Sequence, residues 1–166
     1  DPQRVSSGQM QAVDGAIDHL ISAWSLHWLF PEPSVFLGYV ELNRGRWAQA
    51  QRYYELSVLI YDATLRLTEE YHSLPELKES LRRLSAEAHM HLGVTAERQG
   101  DPSSAESFYK KSLAISPIAQ THFNLAVLFW NKDFGVVERE LGQALRLEPG
   151  HREAAKYLAI LHSKNK

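Results

Sequence analysis

The hydrophobic positions recur at spacings of three and four along nearly the whole chain, which is the signature of amphipathic helices. Trp47, Ala50, Tyr54, Val58, Tyr61 and Leu65 make one such stripe, and Leu77, Leu81, Leu84, Ala88, Leu92 and Thr95 make the next. Between them, "HSLPE" carries the one break: Ser73 and Glu76 form a capping box, and Pro75 suits a first helical turn. The helix over 46–71 carries a second stripe of Tyr53, Leu56, Ile60, Ala63, Leu67 and Tyr71. One stripe suffices for a helix with a single neighbour, so the second is expected to need a cover. Near the start, Ala16, Leu20, Ala23 and Trp24 predict a helix over 7–29, on which Trp24 and Trp28 share a face.

The pattern also repeats itself. Leu37, Gly38, Gly45, Ala50, Tyr54 and Ser57 recur 55 residues later as Leu92, Gly93, Gly100, Ala105, Tyr109 and Ser112. The second copy continues through Leu113 to Pro117, and a third follows at a spacing of 32 or 33, with Leu125-Ala126, Leu141, Ala144, Leu145 and Pro149. In the third copy "NKDFG" replaces "RQGDP", so its turn is one residue shorter. These residue types belong to packing. Leu-Gly, Leu-Ala and the later alanines put small groups where antiparallel helices approach closely, and Tyr54 and Tyr109 fill the wider gaps beside them. Gly100 stops one helix, Asp101 caps the next and Pro102 enters its first turn.

This spacing resembles the tetratricopeptide repeat, a helix-turn-helix unit of about 34 residues. The resemblance implies an all-α fold, an antiparallel helix-hairpin solenoid over residues 1–166. Its expected parts are a truncated repeat at 7–29, a first full repeat at 34–85, a second at 86–117, a third at 118–149 and a C-terminal capping helix at 150–163. A period of 55 equals one ordinary repeat plus 21 residues, which lie between Tyr61 and Ala86. About three turns added to each helix keep both stripes on their faces, so an elongated hairpin is expected over about 46–99.

Chemistry is sparse by comparison. There is no cysteine, which removes disulfides, thiolate zinc sites and cysteine nucleophiles. The eight histidines show no metal-ligand spacing, and His89 and His91 point away from each other. No phosphate loop, HExxH or GxSxG stands in the chain, so no enzyme activity, cofactor or metal is expected. A net charge of −2 with scattered Lys and Arg gives no case for nucleic acid. No apolar run reaches the length of a membrane span. Trp24 and Trp28 lack the flanking basic residues of an interfacial anchor and are expected to pack on the first full repeat. The chain begins at Asp1 rather than Met, which leaves room for an upstream leader or anchor and leaves the compartment open.

In the tetratricopeptide family the first helix of each repeat lines a concave groove that takes a peptide or a helix of a protein partner. Matched by position, the resemblance assigns that groove to Tyr39, Leu42 and Asn43; to Met90, Val94, Glu97 and Arg98; to Phe123, Val127, Trp130 and Asn131; and to Lys156 and Ile160. Phe123, Val127 and Trp130 are expected on one helical face, with Trp130 as an exposed anchor. The alternative is that this wall is core, covered by 7–29 or by the hairpin. Tyr39, Val94 and Val127 occupy the places where some members carry the Asn of a carboxylate clamp, so that specialised function is not expected. The resemblance thus implies a non-catalytic scaffold with a protein partner. Two other readings stand beside it: self-association through Tyr53, Leu56, Ile60 and Leu67, or a structural role in a larger membrane or secretion assembly.

Overall fold

The computed structural model describes residues 32–70 and 75–164. The helix expected over 7–29, with Trp24 and Trp28, and the Ser73 side of the capping box lie outside the described residues. Seven helices and no strand are present among those described: α1 (Glu32–Asn43), α2 (Trp47–Glu70), α3 (Pro75–Arg98), α4 (Pro102–Ile115), α5 (Ala119–Leu128), α6 (Phe134–Leu147) and α7 (Arg152–Lys164). Each packs mainly on the helix before and the helix after it, which is the neighbour-only contact scheme of a solenoid.

The glycines explain how closely the helices approach. A methyl group placed on Gly93 of α3 would stand 2.4 Å from the Tyr109 ring of α4, and one on Gly38 of α1 would stand 2.7 Å from the Tyr54 ring of α2. The tyrosines therefore lie directly on the glycines rather than beside them, and both are fully buried. In the third copy Ala126 and Leu141 fill the same two places and share one buried cluster. A larger residue on one helix is matched by a smaller one on its neighbour, so the volume at the crossing is conserved.

The turns follow from local chemistry. Gly45 and Gly100 adopt φ of 74° and 80°, a left-handed conformation that a side chain disfavours. Asp101 then caps α4, its carboxylate accepting from the Ser104 N–H at 3.0 Å, with Pro102 opening the helix. The shorter third turn lacks such a glycine, and α5 ends at Leu128, with Asp133 capping α6 through the Val136 N–H.

Burial fades along the hairpin of α2 and α3. Tyr61 and Ser85 are buried, and the Ser85 hydroxyl donates to Asp62 at 3.2 Å. Beyond them, none of the described residues in 64–84 is buried. The second stripe of α2 needs correcting at Ile60, which is buried within the chain and unavailable as an oligomer contact. Tyr53 and Leu56 are half-buried, and only Leu67 of the four proposed contacts is exposed. The reason is that α2 packs against both α1 and α3, so it has two neighbours rather than the single one assumed for it.

Candidate functional site

On the repeat boundaries expected from the sequence, the first helix of one repeat is the C-terminal half of α3, and that of the next is α5. Between them and α4 lies a cavity of about 290 Å³ lined by Val94, Glu97, Arg98, Tyr109, Phe123, Asn124 and Val127. Five of the thirteen residues assigned to the groove from sequence therefore meet at one place. Val94, Phe123 and Val127 supply its apolar wall, and Arg98 is an exposed residue of its lining.

The polar floor is organised around Tyr109. Its hydroxyl donates to Glu97 Oε1 at 2.5 Å and receives a hydrogen bond from the Asn124 side chain. Burial, and then the bond to Glu97, hold the phenol far above its ordinary pKa, so it stays protonated and remains a donor. Asn124 Oδ1 accepts from Gln120 Nε2 at 2.9 Å. Gln120 Oε1 stands 3.3 Å from His151 Nε2, and His151 Nδ1 accepts the Ala154 N–H at 3.2 Å, capping α7. That backbone bond requires an unprotonated Nδ1, which puts the proton of the neutral ring on Nε2, facing Gln120.

Repeat 1 has no such floor. Leu42 stands where Glu97 would be, and the buried Tyr54 hydroxyl finds no hydrogen-bond partner among the described residues. Instead the Tyr54 ring stacks on His91, centroids 5.0 Å apart. Burial raises the Tyr54 phenol and lowers the His91 imidazole, the nearby Glu87 partly opposing the latter shift.

The remaining assigned residues lie elsewhere. Met90 is buried against Ala96, Ala105, Tyr109 and Leu125, so it is core. Leu42 packs half-buried on Ala50, Tyr54 and Leu92. Tyr39 is 55% exposed, and Asn43 is exposed, its side chain spent on the Tyr39 carbonyl at 2.8 Å. Asn131 and Lys156 are exposed and Ile160 is half-buried. Trp130 requires the largest correction. Because α5 stops at Leu128, Trp130 sits in the turn beyond it rather than on the face of Phe123 and Val127. Its ring lies edge-on to Tyr157 at 5.0 Å and packs against the cluster of Ala126, Val137 and Leu141. It is a half-buried structural residue, not an open anchor.

Asn124, Gln120 and His151 were not among the residues assigned from sequence. The available signal was the Glu97–Tyr109 pair, twelve apart, because the matching positions read Leu42–Tyr54 in the first copy and Trp130–Leu141 in the third. Among the described residues no group of three or more His, Asp or Glu could hold a metal ion. No helix among them is long and apolar enough to cross a membrane.

The fold defines a helical-repeat solenoid built from antiparallel hairpins. Residues 72–118 match the tetratricopeptide repeat family, so this stretch is a tetratricopeptide repeat within an all-α helical-repeat fold. A chain of the crystal structure of the APC/C hetero-tetramer Cut9–Hcn1 superposes with a TM-score of 0.66 at 18% identity, over 92% of this chain. This protein spans only 28% of the length of that chain. The crystal structure of MamA superposes with a TM-score of 0.66 at 15% identity, over 97% of this chain and 85% of that one. At these identities the likeness concerns the fold. No curated protein matches the sequence. Proteins of this repeat class are generally non-catalytic scaffolds for protein–protein interaction.

Proposed function

We propose that this chain is a non-catalytic interaction module that receives a short segment of a protein partner, a peptide or one helix, in the cavity between α3 and α5. The observation that carries the reading is the composition of that cavity. An apolar wall of Val94, Phe123 and Val127 stands beside a fixed polar floor of Glu97, Tyr109 and Asn124. Apolar surface supplies affinity, while a few positioned polar groups fix register, which is the usual division of labour in a recognition site. Selection of linear peptides from a random library against the whole chain tests it. Val127→Glu, which adds a charge to the apolar wall, should abolish binding of the selected peptides and leave the helical circular dichroism unchanged. Binding that survives this substitution would move the site off the cavity.

Self-association through the hairpin is the second reading, favoured by Leu59 and Leu67 of α2, which are 66% and 53% exposed. Light scattering at high concentration tests it: a dimer that Leu59→Glu with Leu67→Glu dissociates supports the reading, and a monomeric wild type ends it.

A further inference from the structure

The hydrogen bonds that lead from the start of α7 to the cavity floor all run in one direction. Ala154 donates to His151, His151 to Gln120, Gln120 to Asn124, Asn124 to Tyr109 and Tyr109 to Glu97. The chain of donors starts at the capped end of α7, crosses α5 and α4, and finishes on a carboxylate of α3. Its direction is fixed at both ends. The backbone N–H of Ala154 can only donate, and an ionised Glu97 can only accept. Tyr109 and His151 are buried, so losing the link at either would leave a buried polar group unpaired, which costs more than the bond itself contributes.

The Glu97 carboxylate takes one hydrogen bond, from Tyr109, and no other among the described residues. A carboxylate has roughly four lone-pair sites, so most of its acceptor capacity is unspent. It is half-buried in the cavity lining, with Val94, Phe123 and Val127 around it. We infer that this cavity recognises one basic side chain, Lys or Arg, of the bound partner segment, its methylene stem lying on Val94, Phe123 and Val127 and its charged head on Glu97. This rests on the peptide-binding reading of the same cavity. Long cationic side chains suit it because their stems are apolar while their heads donate only. A carboxylate ligand would meet an acceptor of its own sign. Arg98, an exposed residue of the same lining, weakens binding of a cation there by like-charge repulsion. The neighbouring groove position in the first copy cannot do the same, because Leu42 replaces the carboxylate.

The test uses N-acetyl-lysine methylamide, with the norleucine and glutamate analogues as controls, titrated into the whole chain by ¹H–¹⁵N NMR. The lysine probe should shift the amides of Glu97, Asn124 and Val127 saturably. The norleucine analogue, which keeps the stem and loses the charge, should bind about tenfold more weakly. Glu97→Gln retains an oxygen for the Tyr109 hydroxyl, so the fold is kept, yet it should remove that tenfold difference. Arg98→Gln should strengthen the lysine probe severalfold. Equal binding by norleucine, or a stronger response to the glutamate analogue, overturns the cation assignment while the peptide-binding reading stands. If no probe shifts the cavity and no selected peptide maps there, the peptide-binding reading falls and takes this inference with it.

Discussion

Gly93→Ala should destabilise the protein even though it replaces a glycine inside a helix. In isolation the change favours the helix by about 0.8–1.0 kcal/mol. Against that, the new methyl would stand 2.4, 2.6 and 3.0 Å from three atoms of the Tyr109 ring. The ring is fully buried and cannot swing aside, so α3 and α4 must separate or the ring must leave its rotamer. Overpacking of this kind costs about 1–3 kcal/mol, and three simultaneous close contacts place it at the upper end. The net loss is about 1–2 kcal/mol, or roughly 5 °C in melting temperature for a chain of this size. The third copy shows the remedy, since it carries Ala126 opposite Leu141. Tyr109→Leu alone should cost about 2 kcal/mol through lost packing. Adding Gly93→Ala to that variant should stabilise it, because the clash is gone and the helix gain remains. The coupling between the two substitutions is then about 2 kcal/mol, large for any pair and expected only for direct contact. Urea unfolding followed by far-ultraviolet circular dichroism on the two single variants and the double variant measures it. Gly93→Ala acting with the same sign in both backgrounds would refute the reasoning.

Three further outcomes follow from the packing. Replacing residues 64–84 with a Gly-Asp-Pro turn should leave a cooperatively melting helical protein, because none of the described residues there is buried; a loss of cooperative unfolding would make the hairpin part of the core. Trp130→Ala should cost about 2 kcal/mol in a thermal melt, between an exposed and a fully buried aromatic, since it removes a half-buried ring packed on Tyr157; a change below about 0.5 kcal/mol would contradict that packing. Burial lowers the His91 pKa below its ordinary value, so the unfolded chain binds the extra proton first: stability is full above about pH 6.5, falls as the pH drops through that value, and levels off below the folded pKa. His91→Phe keeps an aromatic ring against Tyr54 and should flatten this slope in pH-dependent urea melts, whereas an unchanged slope would place the titration elsewhere.

Much of the fold was legible because it is written in residue size and turn chemistry. Leu-Gly against Tyr, repeated at Gly38–Tyr54 and Gly93–Tyr109, specifies a close helix crossing from sequence alone. Gly100, Asp101 and Pro102 specify a turn in the same way. The site was less legible for three physical reasons. The end of α5 depends on a turn one residue shorter than its counterparts, which moved Trp130 off the helix face. Burial of Ile60 and Met90 depends on which neighbours a helix has, and a stripe records only that it has some. The polar chain joins Glu97 to His151 through side chains from three helices and the cap of a fourth, and no local spacing encodes such a chain.

The measurement that tests the central claim most directly is a ¹H–¹⁵N NMR map of a library-selected peptide on the whole chain. The largest shifts are expected at Val94, Glu97, Phe123, Asn124 and Val127, the residues that line the cavity between α3 and α5. Shifts confined instead to the exposed side of the hairpin, at Leu59 and Leu67, would contradict it.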